Sequence, residues 1–219
     1  MTHKARLPLV MCVLVLLAGY CVAEERQCSS VKRRVGEVQV DVAPPPGFVD
    51  ICALDTELCT LVTRDWWPSR QTLAWFVTAE DWALYEKEKN HGFTHHLVVQ
   101  LIGDMSEDKF RENKQFVHKY TVTPARIQLP ERCETRGRAD LGVVAETNDS
   151  ISFGSVSSMV PSRADPSVSV CRAATNTTVR VKEKGLSLYA LRKYTNPDDA
   201  KAVIALTTQW IQCIVALNR

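Results

Sequence analysis

His91, His95 and His96, close to Glu86 and Glu88, are the densest collection of potential metal ligands in the chain. Imidazole nitrogens bind zinc or copper, and a nearby carboxylate can complete such a shell. Neighbouring residues of a strand point to opposite faces, however, so His95 and His96 do not easily join one site. The expectation is therefore of surface or hairpin-end histidines, with no metal and no cofactor assigned. Serines are frequent between Ser150 and Ser169, yet Gly154-Ser155-Val156-Ser157-Ser158 lacks the second glycine of a nucleophile elbow. His118 is a possible base, but nothing in the sequence orients it against a nucleophile and a third group. No catalytic residue is assigned.

Trp66 and Trp67 offer a different chemistry. Adjacent tryptophans in an extended loop alternate in direction, so one can enter the core while the other meets a partner, a lipid headgroup or a sugar ring. This pair is the expected interaction surface. Asn148-Asp149-Ser150 and Asn176-Thr177-Thr178 are glycosylation sequons, meaningful only in a host that uses them.

The elements that must hold these residues follow a leader. Met1 to Ala23 carries Lys4 and Arg6, an apolar run from Leu7 to Ala18, and small residues suited to cleavage, which reads as a secretory signal. The run is short of the ~20 residues a spanning helix needs. Lipid attachment at Cys21 is disfavoured because Tyr20 stands where a lipobox needs a small residue. Residues 24–219 are then expected to form one domain. Without the leader's Lys4 and Arg6, the chain's 27 basic residues fall to 25, against 25 acidic ones. That balance gives no basic field for nucleic acid.

Six cysteines follow the leader: Cys28, Cys52, Cys59, Cys133, Cys171 and Cys213. An even number in an exported chain predicts disulfides, although six cysteines allow 15 connectivities and the sequence does not choose among them. The preferred pairs are Cys28 with Cys213, Cys52 with Cys59, and Cys133 with Cys171. Within one helix Cys52 and Cys59 would stand about 10 Å apart, too far to bridge. Their pairing thus requires Cys52 to precede the helix.

Val38, Val40 and Val42 alternate with Glu37, Gln39 and Asp41, so Val35 to Val42 reads as one half-buried strand, stopped by Pro44-Pro45-Pro46-Gly47. Asp55 is a candidate cap for a helix with Leu58, Leu61 and Val62 inward. Thr72 to Thr78 is a central strand and Leu97 to Ile102 the next one, separated by a short helix capped at Thr78 with Trp82 and Tyr85 inward. Asp104 or Ser106 caps a charged helix whose Phe110, Phe116, Val117 and Tyr120 are expected to cover one edge of the core. Residues 121–140 form a long connection. Leu141 to Glu146 and Ile151 to Val160 read as a hairpin, and Val168 to Thr175 with Thr178 to Val181 adds strand material. Leu186 to Leu191 is apolar on both faces. Asn196-Pro197-Asp198-Asp199 then opens a helix whose apolar face runs from Ala200 to Val215.

The predicted class is α+β: a mainly antiparallel sheet covered by helices, with the long C-terminal helix packed on the sheet. This order of elements resembles the PsbP-like α/β/α sandwich. Gly47-Phe48-Val49-Asp50-Ile51-Cys52 through Leu58-Cys59, with Trp210 and Asn218, is similar to exported bacterial proteins of unknown function. The resemblance transfers no catalytic residue and implies an accessory or interaction module. The expectation is a non-catalytic, monomeric protein, secreted or periplasmic, that meets an unknown envelope or extracellular protein. A hydrolase or metal-dependent enzyme using the histidines, and a periplasmic inhibitor or immunity protein, are the alternatives.

Overall fold

The computed structural model describes residues 28–66, 70–89, 92–121, 131, 138–159 and 170–219. The leader expected at residues 1–23 lies outside them, as do most of the connection at 121–140 and residues Trp67, His91 and Cys133. The elements in chain order are β1 (Lys32–Val35), β2 (Val38–Asp41), β3 (Phe48–Asp50), α1 (Ile51–Leu54), α2 (Thr56–Trp66), β4 (Thr72–Thr78), α3 (Ala79–Lys87), β5 (His95–Asp104), α4 (Glu107–Tyr120), β6 (Arg138–Glu146), β7 (Ser150–Met159), β8 (Val170–Val181), β9 (Lys184–Lys193) and α5 (Pro197–Leu217).

Seven strands form one sheet in the order β3-β4-β5-β9-β8-β7-β6, every neighbouring pair antiparallel, and β1 and β2 form a separate hairpin. The hairpin corrects the reading of Val35 to Val42 as one strand. Gly36 adopts a left-handed φ of 61°, and the turn it makes reverses the chain between Val35 and Val38. Val38, Val40 and Val42 alternate, whereas Val35 stands three residues before Val38 and out of phase with them, a break at Gly36-Glu37 that the one-strand reading passes over.

α5 starts where its residue types require. Asn196 accepts a hydrogen bond from the Asp198 amide at 2.8 Å, Asp199 reaches back to the Asn196 amide at 3.2 Å, and Pro197 occupies the first turn. The 21-residue helix is long and apolar enough to cross a membrane by length and composition. Here it lies on the sheet, burying Ala200, Val203, Trp210, Ile211 and Ile214 against Leu186, Leu188, Ala190, Ala173 and Val179. Val35, Val40 and Val42 of the hairpin join the same core. The Trp210 indole donates to the Ala43 carbonyl at 2.7 Å. Asn218 accepts from the Asp41 amide at 2.9 Å and donates to the Asp41 carbonyl at 2.7 Å. A disulfide joins Cys28 to Cys213, so hairpin and helix are fastened at several points.

The opposite face has a smaller cover. Ile51, Trp75, Val77 and Val98 are buried there beneath α1, α2 and α3, with Trp82, Phe93 and Tyr189 packed around them. On α4 only Phe110 and Val117 are buried, while Phe116 and Tyr120 are 60% and 64% exposed. Their expected inward role is thus corrected: residues 116 and 120 share a helical face with Glu112 and Asn113, turned from the one carrying 110 and 117. β8 is a single strand across Asn176-Thr177-Thr178, which places Thr177 in the core hydrogen-bonded to Ser152 at 2.8 Å.

Candidate functional site

The corner formed by α1 and α2 is built by two aspartates. The Asp50 carboxylate caps α1 by accepting from the Cys52 amide at 3.0 Å and pairs with Arg33, whose Nε donates to the Leu73 carbonyl at 2.6 Å. Burial raises the pKa of Asp50 in spite of that guanidinium. Asp55 ends α1 in an extended conformation and then accepts from the Leu58 amide at 2.8 Å, starting α2. The break at Asp55 brings the Cα atoms of Cys52 and Cys59 to 5.0 Å, where a disulfide joins them. Leu54 and Leu61 remain 54% and 51% exposed on this corner. Leu61 was expected inward; Leu58 and Val62 take the packed side instead. Trp66 is the last residue of α2.

A second site lies where α5 passes over the ends of four adjacent strands. Register aligns Phe48 with Thr78 and His95 with Arg192, and Val77 opposite His96 sets Thr78 beside His95. A cross-strand row Phe48, Thr78, His95, Arg192 results, facing α5. Between this row and Ala202, Ala205, Leu206 and Gln209 runs a groove of about 820 Å³. The histidine is held from behind. Buried Asp81 accepts from the Thr94 amide at 3.0 Å, the Thr94 hydroxyl at 3.0 Å and the His95 amide at 3.1 Å. The Thr94 hydroxyl gives its proton to Asp81, so it accepts from His95 Nδ1 at 2.8 Å, which leaves the lone pair on Nε2. Burial, then the charge of Arg192, lowers the pKa of His95 and keeps it neutral at pH 7.

Arg192 is itself committed at one nitrogen, its Nε donating to Asp199 at 2.9 Å. Burial works against ionisation of Asp199, but hydrogen bonds from the Thr195 hydroxyl and amide, from Arg192 and from the Asn196 amide outweigh it and hold its pKa at about 2. The site is thus a neutral groove with a hydrogen-bonding centre. No local motif announces it, because its polar members come from three strands. The available signal was that Thr78, His95 and Arg192 each stand at the end of an apolar strand run.

The other predicted site residues do not converge. His96 points to the opposite face from His95, buried and neutral, its pKa lowered to about 3 by burial and then by the charge of Arg172. His118 lies on α4 at 2.9 Å from Glu146, which Lys114 also contacts at 2.6 Å. The hydrogen bond from Lys114 outweighs burial and, with a lesser one from His118, lowers the pKa of Glu146. Among the described residues no group of three or more His, Cys, Asp or Glu side chains could hold a metal. Ser150 and Ser152 are buried within β7, and Gly154-Ser155 is part of the same strand, without an elbow. Cys171 is disulfide-bonded, and its expected partner Cys133 is outside the described residues.

No family model matches the chain, and no curated protein matches it. Among solved structures it is similar to a mutant of protein Mog1, with 12% identity over 88% of this chain and 99% of that one and a TM-score of 0.39. It is also similar to the Saccharomyces cerevisiae Ran-binding protein Mog1p, with 11% identity over 86% and 94% and a TM-score of 0.38. These findings correct the resemblance to PsbP-like sandwiches and to exported bacterial proteins: the α+β fold with its antiparallel sheet is set beside Mog1 structures instead. The physical reason is that the order of elements along a chain does not fix the order of strands in a sheet. With the resemblance goes the secreted or periplasmic localisation and the envelope or extracellular partner, neither of which the matched structures carry. At this degree of likeness no partner passes from them to this chain.

Proposed function

We propose that this chain is a non-catalytic protein-binding domain whose contact surface is the outer side of the α1–α2 corner, with Trp66 and Trp67 as its aromatic members. One observation carries the reading: Leu54 and Leu61 are each more than half exposed on a corner that a disulfide and two aspartate caps hold in one shape. Large apolar side chains held rigidly at a surface lose little entropy on association, and tryptophans are frequent among the residues that dominate interface energies. The enzymatic alternative lacks a comparable observation, since His95, His96 and His118 stand on different faces and elements.

The test is quantitative capture from a whole-cell extract of the source, comparing the unaltered chain with a Trp66→Ala/Trp67→Ala variant and with Leu61→Ala. A partner held by this surface is weakened by at least ~1 kcal/mol in the tryptophan variant, about a fivefold rise in Kd. Equal capture by all three proteins would remove the corner from consideration.

A further inference from the structure

We propose that the Cys52–Cys59 disulfide is a reducible latch on the α1–α2 corner: a dithiol that cleaves it lets residues 51–66 close into one continuous helix, which withdraws Leu54 and Leu61 from the surface. Asp55 is the hinge. Its backbone, at φ −142° and ψ 91°, is the break between the two helices. On either side it is already bonded as a helix requires, its amide donating to the Ile51 carbonyl at 2.8 Å and its carbonyl accepting from the Cys59 amide at 3.0 Å. No glycine or proline stands between Ile51 and Trp66. A helical Asp55 gives the amides of Thr56, Glu57 and Leu58 the carbonyls of Cys52, Ala53 and Leu54, in exchange for the Asp55 side-chain cap that Leu58 now has at 2.8 Å. The disulfide forbids this, because a helix separates residues 52 and 59 by about 10 Å and the bridge holds their Cα atoms at 5.0 Å.

The residue pattern fits the second state. At about 100° per residue, Ile51, Leu54, Leu58, Leu61 and Val62 fall on one apolar stripe of about 100°, with Asp55 just outside it. In the broken form they are divided: Ile51 is fully buried with Leu58 and Val62 packed beside it, while Leu54 and Leu61 face solvent. α1 is the fixed arm, held by Ile51, and α2 reaches the same cluster through the partly buried Leu58, Cys59 and Val62. Access selects this bridge, since Cys52 and Cys59 are both partly exposed and Cys213 of the longer bridge is buried. One thiolate of the dithiol attacks a sulfur and forms a mixed disulfide, which the second thiolate resolves. Two electrons and two protons thereby pass to the cysteines, and the dithiol leaves as a cyclic disulfide. The consequence rests on the reading of the corner as a contact surface: reduction switches that surface off and reoxidation restores it.

The test uses the full chain, isotope-labelled for NMR, with dithiothreitol as the dithiol, and a Cys52→Ser/Cys59→Ser variant that keeps the other cysteines. Iodoacetamide trapping with mass spectrometry is expected to find thiols at Cys52 and Cys59 before Cys28 and Cys213. In the reduced chain and the serine variant alike, the Asp55 Cα signal moves to helical values and the Thr56 and Glu57 amides exchange with solvent about tenfold more slowly. The Leu54 and Leu61 methyl signals lose their broadening by a soluble nitroxide. Thr56→Pro added to the serine variant holds Asp55 extended and is compatible with the first turn of α2, so it returns the Asp55 and leucine signals to those of the oxidised chain. The proposal is overturned if Cys213 is alkylated first, if Asp55 stays extended once residues 52 and 59 are unbridged, or if the two leucines then stay open to the nitroxide. None of these readouts needs a partner. Equal capture by the Trp66→Ala/Trp67→Ala variant would remove the contact surface and leave the latch standing, and an extended Asp55 in the serine variant would do the reverse.

Discussion

On the face covered by α5 the buried apolar cluster extends from Val35 to Ile214, whereas among the described residues the buried apolar cluster beneath α1, α2 and α3 is Ile51, Trp75, Val77 and Val98. One long helix seals the first, and its C-terminal half is fastened to the N-terminal hairpin by the Cys28–Cys213 disulfide, the Trp210 indole and the Asn218 amide. Short helices cover the second, leaving Leu54 and Leu61 exposed. The larger share of the core therefore lies under the first face, and the second presents Leu54 and Leu61 outside its own smaller cluster.

The disulfides offer the strongest way to break this comparison. In the chain-entropy description Cys28–Cys213, with a sequence separation of 185, constrains the unfolded chain far more than Cys52–Cys59, with a separation of 7. Replacing the first pair by serine is expected to cost about 5 kcal/mol and the second about 2.5 kcal/mol, read from urea denaturation midpoints. Equal losses would show that the two closures do not differ in kind. Trp210→Ala follows, at about 3 to 5 kcal/mol, since it opens a cavity and strands the Ala43 carbonyl. Leu61→Ala on the other face should stay within about 0.5 kcal/mol. If Leu61→Ala destabilises as a core substitution does, the corner is not a free surface.

These contrasts also explain which features could be read from residue order. The cap of α5 was legible because Asn196, Pro197 and Asp199 act within one turn, and β4, β5 and β9 were legible because strands covered on both faces are apolar throughout. That Cys52 lies outside the helix of Cys59 followed from a distance limit, since two cysteines seven residues apart cannot meet inside one helix, but the short helix α1 that holds Cys52 was not foreseen. The groove was not legible. Phe48, Thr78, His95 and Arg192 meet through strand register over 144 residues of chain, and register between distant strands leaves no local pattern. Phe116 and Tyr120 misled because an aromatic residue on a charged helix suggests burial, while the side of the helix that packs is set by the sheet.

Acidification sharpens the comparison further, because each face carries one group with a strongly lowered pKa and a different cause for it. His96, under α1 to α3, is buried uncharged with its pKa near 3. The unfolded chain therefore binds the extra proton first, and stability should fall by up to about 1.4 kcal/mol per pH unit below pH ~6.5, ceasing to fall near pH 3. His96→Leu should flatten that slope; an unchanged slope would assign it to other groups. Asp199, at the start of α5, behaves as a carboxylate held ionised by donors, with its pKa at about 2. Its contribution is complete above the unfolded carboxylate pKa of ~3.9 and is lost as pH falls towards 2. After discounting for solvent screening it amounts to about 1 kcal/mol. Asp199→Asn should remove this part of the acid dependence below pH ~4 while leaving the higher-pH slope from His96 in place. A single variant that abolished both slopes would mean that the two faces titrate as one unit.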